Sequence, residues 1–126
     1  MRKIFFALIL SLFTMTSYAT TNNDDGAQLH KGLYIISGIG YCVQNGQYTS
    51  DMGSRQVEIT VYEETIYINN LQQGFTDWAK YVGQTGRTRC YRDQFGNTYF
   101  VRLDGSMYLE TYGYGLTIRY DITQVY

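Results

Sequence analysis

Apolar and polar residues alternate along much of the chain from residue 32 onward. The clearest case is residues 56–62, QVEITVY, in which Val57, Ile59 and Val61 share one face of an extended chain. Residues 116–122 repeat the pattern near the C-terminus. A period of two predicts β-strands with one buried face, and no stretch has a persuasive helical period. The sequence therefore predicts an all-β domain.

Short turn sequences separate the alternating segments. Asn45-Gly46 and Asp104-Gly105 favour two-residue hairpin turns, because both positions of each pair tolerate positive φ. Strand-like segments recur about every ten residues, as is typical of antiparallel β-proteins. The sequence predicts a small antiparallel meander of seven or eight strands that closes into a barrel, with a two-sheet β-sandwich as the alternative.

The alternation also predicts which residues face the core. The expected inward set is Val57, Ile59, Val61, Val101, Leu103, Ile118 and Tyr120. Residues 71–84 allow two interpretations. Leu71, Phe75 and Trp78 have helical spacing, but residues 78–82 alternate and favour a strand that begins at Trp78.

The first predicted strand, residues 33–44, is apolar on both faces. The larger set with one parity is Leu33, Ile35, Ile39, Tyr41 and Val43. If this set faces the core, Cys42 faces outward. Gly38-Ile39-Gly40 predicts a β-bulge that would alter these faces, because glycine within a strand often marks a bulge. This segment lacks the third glycine and the helix of a phosphate-binding loop.

The N-terminus has the features of a secretory signal peptide. Arg2 and Lys3 precede an apolar run over residues 4–13, and small residues lead up to Ala19. The run is too short for a transmembrane helix, which needs about 20 apolar residues, and no cysteine lies nearby to carry a lipid. We expect cleavage after Ala19 and a secreted or periplasmic protein without a membrane span. Residues 20–31 are predicted to be a flexible leader, and residues 32–126 a single β domain.

The mature chain would contain two cysteines, Cys42 and Cys90. In a secreted chain, an even pair predicts a structural disulfide. A redox or metal-binding pair is the alternative, but the pair lacks CxxC spacing and histidine partners.

Charge and composition argue against several function classes. The chain has 10 basic and 11 acidic side chains, and Arg2 and Lys3 leave with the signal peptide. The weakly acidic remainder provides no basic patch for nucleic acid and no polybasic cluster for an anionic membrane. The single histidine, His30, falls in the predicted leader, where we expect it to be solvated. The sequence predicts no metal site and no cofactor.

Aromatic and arginine residues are the best candidates for binding. Trp78, Tyr112 and Tyr114 fall on outward faces or turns, where such side chains stack on sugars or anchor protein interfaces. Arg87, Arg89 and Tyr91 would form one stripe on an extended strand. That stripe could bind a carboxylate or sulfate, or it could only protect an edge strand from aggregation.

These features favour a non-catalytic binding or interaction protein whose ligand is a protein or a glycan. The alternative is a lipocalin-like carrier of a small apolar ligand, although the bulky inward set favours a filled interior. A small secreted hydrolase is a distant third, since Asp77, Asp93 and Asp104 fall at predicted turns, where aspartate is common. Edge strands, if the sheet stays open, would allow a homodimer.

Overall fold

The computed structural model describes residues 25–50 and 53–125. The predicted signal peptide and the first part of the predicted leader lie outside the described residues. In the described ranges the chain forms nine strands and no helix that is long and apolar enough to cross a membrane. The strands are β1 (Gln28–Cys42), β2 (Tyr48–Ser50), β3 (Arg55–Tyr62), β4 (Thr65–Asn70), β5 (Phe75–Thr85), β6 (Thr88–Asp93), β7 (Thr98–Arg102), β8 (Met107–Gly113) and β9 (Leu116–Gln124).

The strands form a closed antiparallel barrel. From β3 to β9, each strand pairs with the next, and β1 closes the ring by pairing with both β3 and β9. The short strand β2 adds to the second half of β1, outside the ring of eight. The predicted all-β antiparallel barrel is therefore confirmed, and the sandwich alternative is wrong.

Two strands begin earlier than the sequence indicates. β1 begins at Gln28, so residues 28–31 of the predicted leader are part of the barrel. β5 begins at Phe75 rather than Trp78, and the helical alternative for this region is wrong. In both places the chain pairs with a neighbouring strand, and this pairing satisfies its backbone N–H and C=O groups. The local sequence alone does not indicate this pairing.

Adjacent strands run in opposite directions, so the turns between them fall at two ends of the barrel. The end that we call the mouth end carries turns 71–74, 94–97 and 114–115. The opposite end, which we call the closed end, carries turns 63–64, 86–87 and 103–106.

Alternate residues of the strands fill the barrel interior. The predicted core residues Val57, Ile59, Val61, Val101 and Tyr120 are buried, and Ile118 packs against them. Leu103 is the exception: it is 64% exposed in turn 103–106, because β7 ends at Arg102. The predicted inward face is confirmed for the strands and fails only where the strand stops.

On β1, the face that points into the barrel is the opposite of the one expected from the larger apolar set. Tyr34, Ile36 and Cys42 face the interior and are buried. The larger apolar set lies on the outer face, where Ile39 and Val43 are exposed. Both faces are apolar, so alternation alone does not distinguish inside from outside on this strand.

The predicted β-bulge in β1 is present, but the expected reversal of the two faces beyond it is wrong. Between Ile36 and Gly40, β1 advances four residues while β9 advances two, from Ile122 to Tyr120. An even number of extra residues leaves the two faces of β1 unchanged beyond the bulge. A Cβ atom on Gly40 would lie 2.4 Å from Cγ2 of Ile118, so the close approach of the strands requires glycine here.

The predicted disulfide is wrong. Cys42 and Cys90 are free thiols, on β1 and β6 respectively. These strands are separated by three others in either direction around the ring of eight, so they lie on opposite sides of the barrel. A disulfide needs Cα atoms within about 7 Å. Barrel closure, rather than a covalent bridge, therefore holds the first strand in place.

Candidate functional site

A cavity of about 310 Å³ lies at the mouth end, and we call it the mouth cavity. Its apolar floor is formed by Ile36, Val57, Ile68, Leu109 and Tyr120. Its walls and rim carry polar and aromatic residues: Arg55, Asn70, Gln73, Phe75, Asp77, Asp93, Phe95, Asn97, Tyr99 and Thr111. The barrel is thus filled in its middle but hollow and polar at this end.

The polar lining follows from strand alternation. Arg55 stands two positions before buried Val57 on β3, and Asp77 stands two positions before buried Ala79 on β5. Since side chains two apart share a face, both charged residues point toward the interior. The sequence had suggested a turn position for Asp77, but it lies within β5.

Asp93, at the end of β6, is committed to the turn that follows it. Its Oδ1 accepts hydrogen bonds from the backbone N–H groups of Phe95 and Asn97, both at 2.9 Å. Its Oδ2 accepts another from Nδ2 of Asn97 at 3.3 Å. Asp93 therefore acts as the predicted turn aspartate, and the turn that it fixes presents Phe95, which is 74% exposed, at the rim.

Asn70 fixes the neighbouring turn in the same way. Its Oδ1 accepts hydrogen bonds from the backbone N–H groups of Gln72 and Gln73, both at 3.1 Å. This turn leads directly into Phe75, which is partly exposed at the rim. Asn70 at the end of β4 and Asp93 at the end of β6 thus fix the backbones of the two turns next to the phenylalanines, so the positions of the aromatic rim are preorganised.

Three polar groups of the mouth cavity have no such partner. Within the described residues, the side chains of Arg55, Asp77 and Tyr99 make no hydrogen bond or ion pair. Tyr99 is only 6% exposed, and burial raises the pKa of its hydroxyl strongly. The charges of Asp93 and Asp77 add to this rise, while Arg55 opposes it. A cation, an anion and a neutral hydroxyl are therefore available to a ligand in one cavity.

Large apolar side chains are exposed around the mouth end. They are Val43, Tyr48, Leu71, Phe75, Phe95, Tyr112, Tyr114 and Leu116. Exposed apolar surface that is concentrated in one region typically marks a binding surface. The mouth cavity is therefore surrounded by apolar and aromatic groups that a larger ligand would also contact.

At the closed end, Arg89 and Tyr91 face the interior rather than forming an exposed stripe with Arg87. Nε of Arg89 donates a hydrogen bond to the Tyr91 hydroxyl at 2.9 Å, and its guanidinium lies 4.2 Å from the centre of the Tyr81 ring. The Tyr91 hydroxyl donates to the carbonyl oxygen of Tyr62 at 2.7 Å. Tyr91 is fully buried, because its position on β6 shares the inward face. Only Arg87, in turn 86–87, is fully on the surface.

The predicted aromatic candidates lie at separate places. Tyr114 is fully exposed in turn 114–115, and Tyr112 donates a hydrogen bond from its hydroxyl to Oε1 of Glu110 at 3.1 Å near the same end. Trp78 lies on the outer wall of β5, with Nζ of Lys80 5.7 Å from its ring centre. Tyr112 and Tyr114 thus belong to the mouth end, whereas Trp78 does not line the cavity.

His30 is part of β1 at the closed end, not a solvated leader residue as expected. Its ring centre lies 5.9 Å from that of Tyr34. Nε2 of His30 and the Tyr34 hydroxyl are both buried without hydrogen-bond partners. In the described ranges, no three His, Cys, Asp or Glu side chains are grouped as metal ligands.

The closed end also has two cavities, of about 420 and 300 Å³, next to turn 103–106. The larger is lined by inner-face Ile122 and outer-face Asp121, so it is a groove across the barrel edge. The smaller is lined by Arg89, which already donates hydrogen bonds to the Tyr91 hydroxyl and the carbonyl oxygen of Glu63. The mouth cavity is therefore the better candidate site.

Sequence inspection missed the residues that make the mouth cavity. One signal was available: Arg55 and Asp77 occupy the next alternate position before a run of inward-facing apolar residues, near the end of a strand. No family model matches this chain, and neither a curated protein nor a solved structure matches it. What the protein binds must therefore be inferred from its own residues.

Proposed function

We propose that this protein is a non-catalytic binding protein of the periplasm or the cell exterior, and that it binds a glycan in the mouth cavity. The observation that carries the proposal is the set of three unpartnered groups, on Arg55, Asp77 and Tyr99, inside a cavity with an aromatic rim. Sugars present hydroxyl groups that such side chains bind and apolar faces on which aromatic rings stack. Tyr99 is buried and Arg55 and Asp77 are partly buried, so a ligand that supplies their missing hydrogen bonds gains affinity.

The size of the cavity favours a glycan end over a protein surface. Small-molecule sites typically enclose about 300–1,000 Å³, and the mouth cavity, at about 310 Å³, is at the lower limit. It would take the terminal unit of a chain, while the exposed Phe75 and Phe95 contact the next unit. Protein binding, the other ligand class expected from the sequence, would use the apolar surroundings of the cavity more than its interior.

The carboxylates of the cavity support binding rather than hydrolysis. Glycoside hydrolases generally use two carboxyl groups, one as the acid and the other as base or nucleophile. Asp93 already accepts three hydrogen bonds from its own turn, which leaves Asp77 as the one carboxylate of the cavity lining without a donor. A hydrolase therefore remains the weakest of the three functions considered.

The apolar floor favours a second candidate, a lipocalin-like carrier of a small apolar ligand. Ile36, Ile68 and Leu109 would contact such a ligand at the bottom of the cavity. The charged rim favours the glycan, because an apolar ligand would bury Arg55 and Asp77 without a partner. Extraction of the purified protein and mass spectrometry of the extract would identify a bound apolar molecule if this candidate is correct.

The glycan proposal can be tested by NMR titration of the protein from residue 20 onward with a panel of neutral, acidic and amino sugars. We expect shifts of backbone signals in turns 71–74 and 94–97. Phe95→Ala should weaken binding about tenfold, because aromatic anchors commonly contribute more than about 1 kcal/mol. Leu103→Ala is the matched control, since Leu103 is similarly exposed but lies at the closed end. Absence of binding by every sugar, or equal weakening by both variants, would contradict the proposal.

A further inference from the structure

We infer that the ligand unit that enters the mouth cavity is a zwitterionic sugar, with a protonated amine that binds Asp77 and a carboxylate that binds Arg55. This inference rests on the proposed function, because it names the chemistry of a ligand in the same cavity. It follows from the charges of the lining residues and from the contacts that those residues lack.

Asp77 provides the anionic part of the site. It is partly buried on the inner face of β5 and accepts no hydrogen bond from the described residues. An unpaired carboxylate is costly to keep away from water. A ligand ammonium group would supply both a positive charge and N–H donors, and their interaction is stronger in a cavity than in bulk water.

Arg55 provides the cationic part. It is partly buried at the start of β3, and within the described residues its guanidinium has no carboxylate partner. β4 lies between β3 and β5, and the register pairs Asp77 with Ile68 and Ile68 with Ile59, so Arg55 lies two strands from Asp77 and four residues nearer the mouth end. The guanidinium fork fits a carboxylate through two parallel hydrogen bonds. Arg55 and Asp77 therefore remain free to bind different groups of one ligand.

Tyr99 is an independent indication that this cavity is built for a ligand. Tyr99 is only 6% exposed, lines the cavity, and makes no side-chain hydrogen bond within the described residues. The charges of Asp77, Asp93 and Arg55 all act on its hydroxyl. A phenol can donate or accept, so Tyr99 can bind a further polar group of the same ligand.

Pairing of the two free side chains favours a zwitterion over a singly charged sugar. An acidic sugar would pair with Arg55 but would bring a third negative charge into a cavity that Asp77 and Asp93 already line. An amino sugar without an acid would pair with Asp77 but would leave Arg55 unpaired and repelled. A neutral sugar would leave both charges unpaired. Only a ligand with both charges satisfies the two free side chains at once.

The test is an NMR or calorimetric titration of the protein from residue 20 onward with five matched probes. Muramic acid carries the amine and the carboxylate on one sugar unit, and N-acetylmuramic acid differs by loss of the positive charge. Glucosamine has the amine alone, glucuronic acid has the acid alone, and glucose has neither. We expect muramic acid to bind about tenfold more tightly than each probe that lacks one charge, as one added charge-assisted interaction would give, and more tightly still than glucose, which lacks both.

Two charge-removing variants identify the groups responsible. Asp77→Asn should abolish the preference for muramic acid over N-acetylmuramic acid, and Arg55→Gln should abolish the preference over glucosamine. Arg92→Gln is the control, because Arg92 is exposed and does not line the cavity; it should leave both preferences intact. Unchanged amide spectra in the absence of sugar would show that each variant is folded, and Arg55→Met would replace Arg55→Gln if it is not.

The outcomes separate this inference from the proposed function. If glucose binds at the mouth end as tightly as muramic acid, the protein is a glycan-binding protein but the zwitterionic inference is wrong. If no probe and no other sugar shifts the mouth-end signals, both are wrong. Retention of the muramic acid preference in Asp77→Asn and Arg55→Gln would also overturn the inference.

Discussion

Arg55 and Arg89 occupy similar positions at opposite ends of the barrel, but their surroundings differ. Both lie on the inner face near a strand end and both are partly buried. Arg89 donates to the Tyr91 hydroxyl and to the carbonyl oxygen of Glu63, and it stacks on Tyr81. Arg55 has none of these interactions in the described part of the chain. Arg89 is therefore explained by the fold, whereas Arg55 is not.

The tyrosines of the two ends differ in the same way. Tyr91 at the closed end both donates and accepts a hydrogen bond, while the Tyr99 hydroxyl at the mouth cavity does neither within the described residues. Tyr34 and His30 line the two closed-end cavities and also have unpartnered polar atoms, but these atoms themselves are buried and are not exposed to the cavities. An unsatisfied group points to a ligand only where a cavity gives the ligand access.

The difference between the two ends predicts that truncation of Tyr91 causes the largest loss of stability. Tyr91→Ala should lower the free energy of unfolding by about 3–5 kcal/mol, the usual loss for a buried aromatic side chain. The change leaves a cavity and removes two hydrogen bonds. Phe95→Ala, at the exposed rim of the mouth, should change it by less than about 0.5 kcal/mol. Urea unfolding followed by circular dichroism measures both, and comparable losses in the two variants would show that the rim is structural.

The two arginines give the next largest difference. Arg89→Met should lower the free energy of unfolding by about 1.5–3 kcal/mol, the range for hydrogen bonds to charged groups. Arg55→Met keeps a similar side-chain length and should change it by less than about 0.5 kcal/mol. The same urea experiment applies. A destabilised Arg55→Met would mean that Arg55 has a structural role, and the contrast between the ends would fail.

Alternation predicted the barrel well where each strand has one apolar face. Val57, Ile59 and Val61 are buried as expected. Such strands depend on local sequence and on one buried face, and both are visible in the chain. Gly46 and Gly105 adopt positive φ, but their links span residues 43–47 and 103–106, so the predicted two-residue turns are wrong.

The failed predictions for the faces of β1 and for the cysteine pair depend on contacts between residues far apart in the sequence. β1 has two apolar faces, and close packing of Gly40 against Ile118 of β9 helps to fix which one is inside. The cysteine pair suggested a disulfide, but the number of intervening strands places Cys42 opposite Cys90. Neither outcome can be deduced before the strand order is known.

The site was harder to predict than the fold. Asp93 is a turn aspartate as its sequence context suggests, whereas Asp77 looks similar in sequence but lies in a strand and faces the cavity. Whether an inward charge is bonded depends on the strands that the barrel places beside it. The sequence could therefore indicate polar residues at strand ends but not which of them remain free.

The buried tyrosines at the two ends of the barrel make the stability of the protein depend on pH. Burial raises the pKa values of Tyr34 and Tyr91 at the closed end and of Tyr99 at the mouth above the ordinary value of about 10. In the unfolded chain these phenols ionise near the ordinary value, whereas in the folded state they stay protonated. Their contribution to stability is thus complete below about pH 10 and is lost as the pH rises above it.

The smallest predicted effect distinguishes the two kinds of buried hydroxyl. Tyr99→Phe removes a hydroxyl without a hydrogen bond, so the free energy of unfolding at pH 7 should be unchanged or slightly higher, and the midpoint of alkaline unfolding should rise. Tyr91→Phe removes a donor to Tyr62 and an acceptor for Arg89, and it should lower stability at pH 7 by about 1–2 kcal/mol. Urea unfolding at pH 7 and a pH titration followed by circular dichroism test both variants. If Tyr99→Phe were as destabilising as Tyr91→Phe, the Tyr99 hydroxyl would have a partner within the folded chain, and it would no longer be available to a ligand.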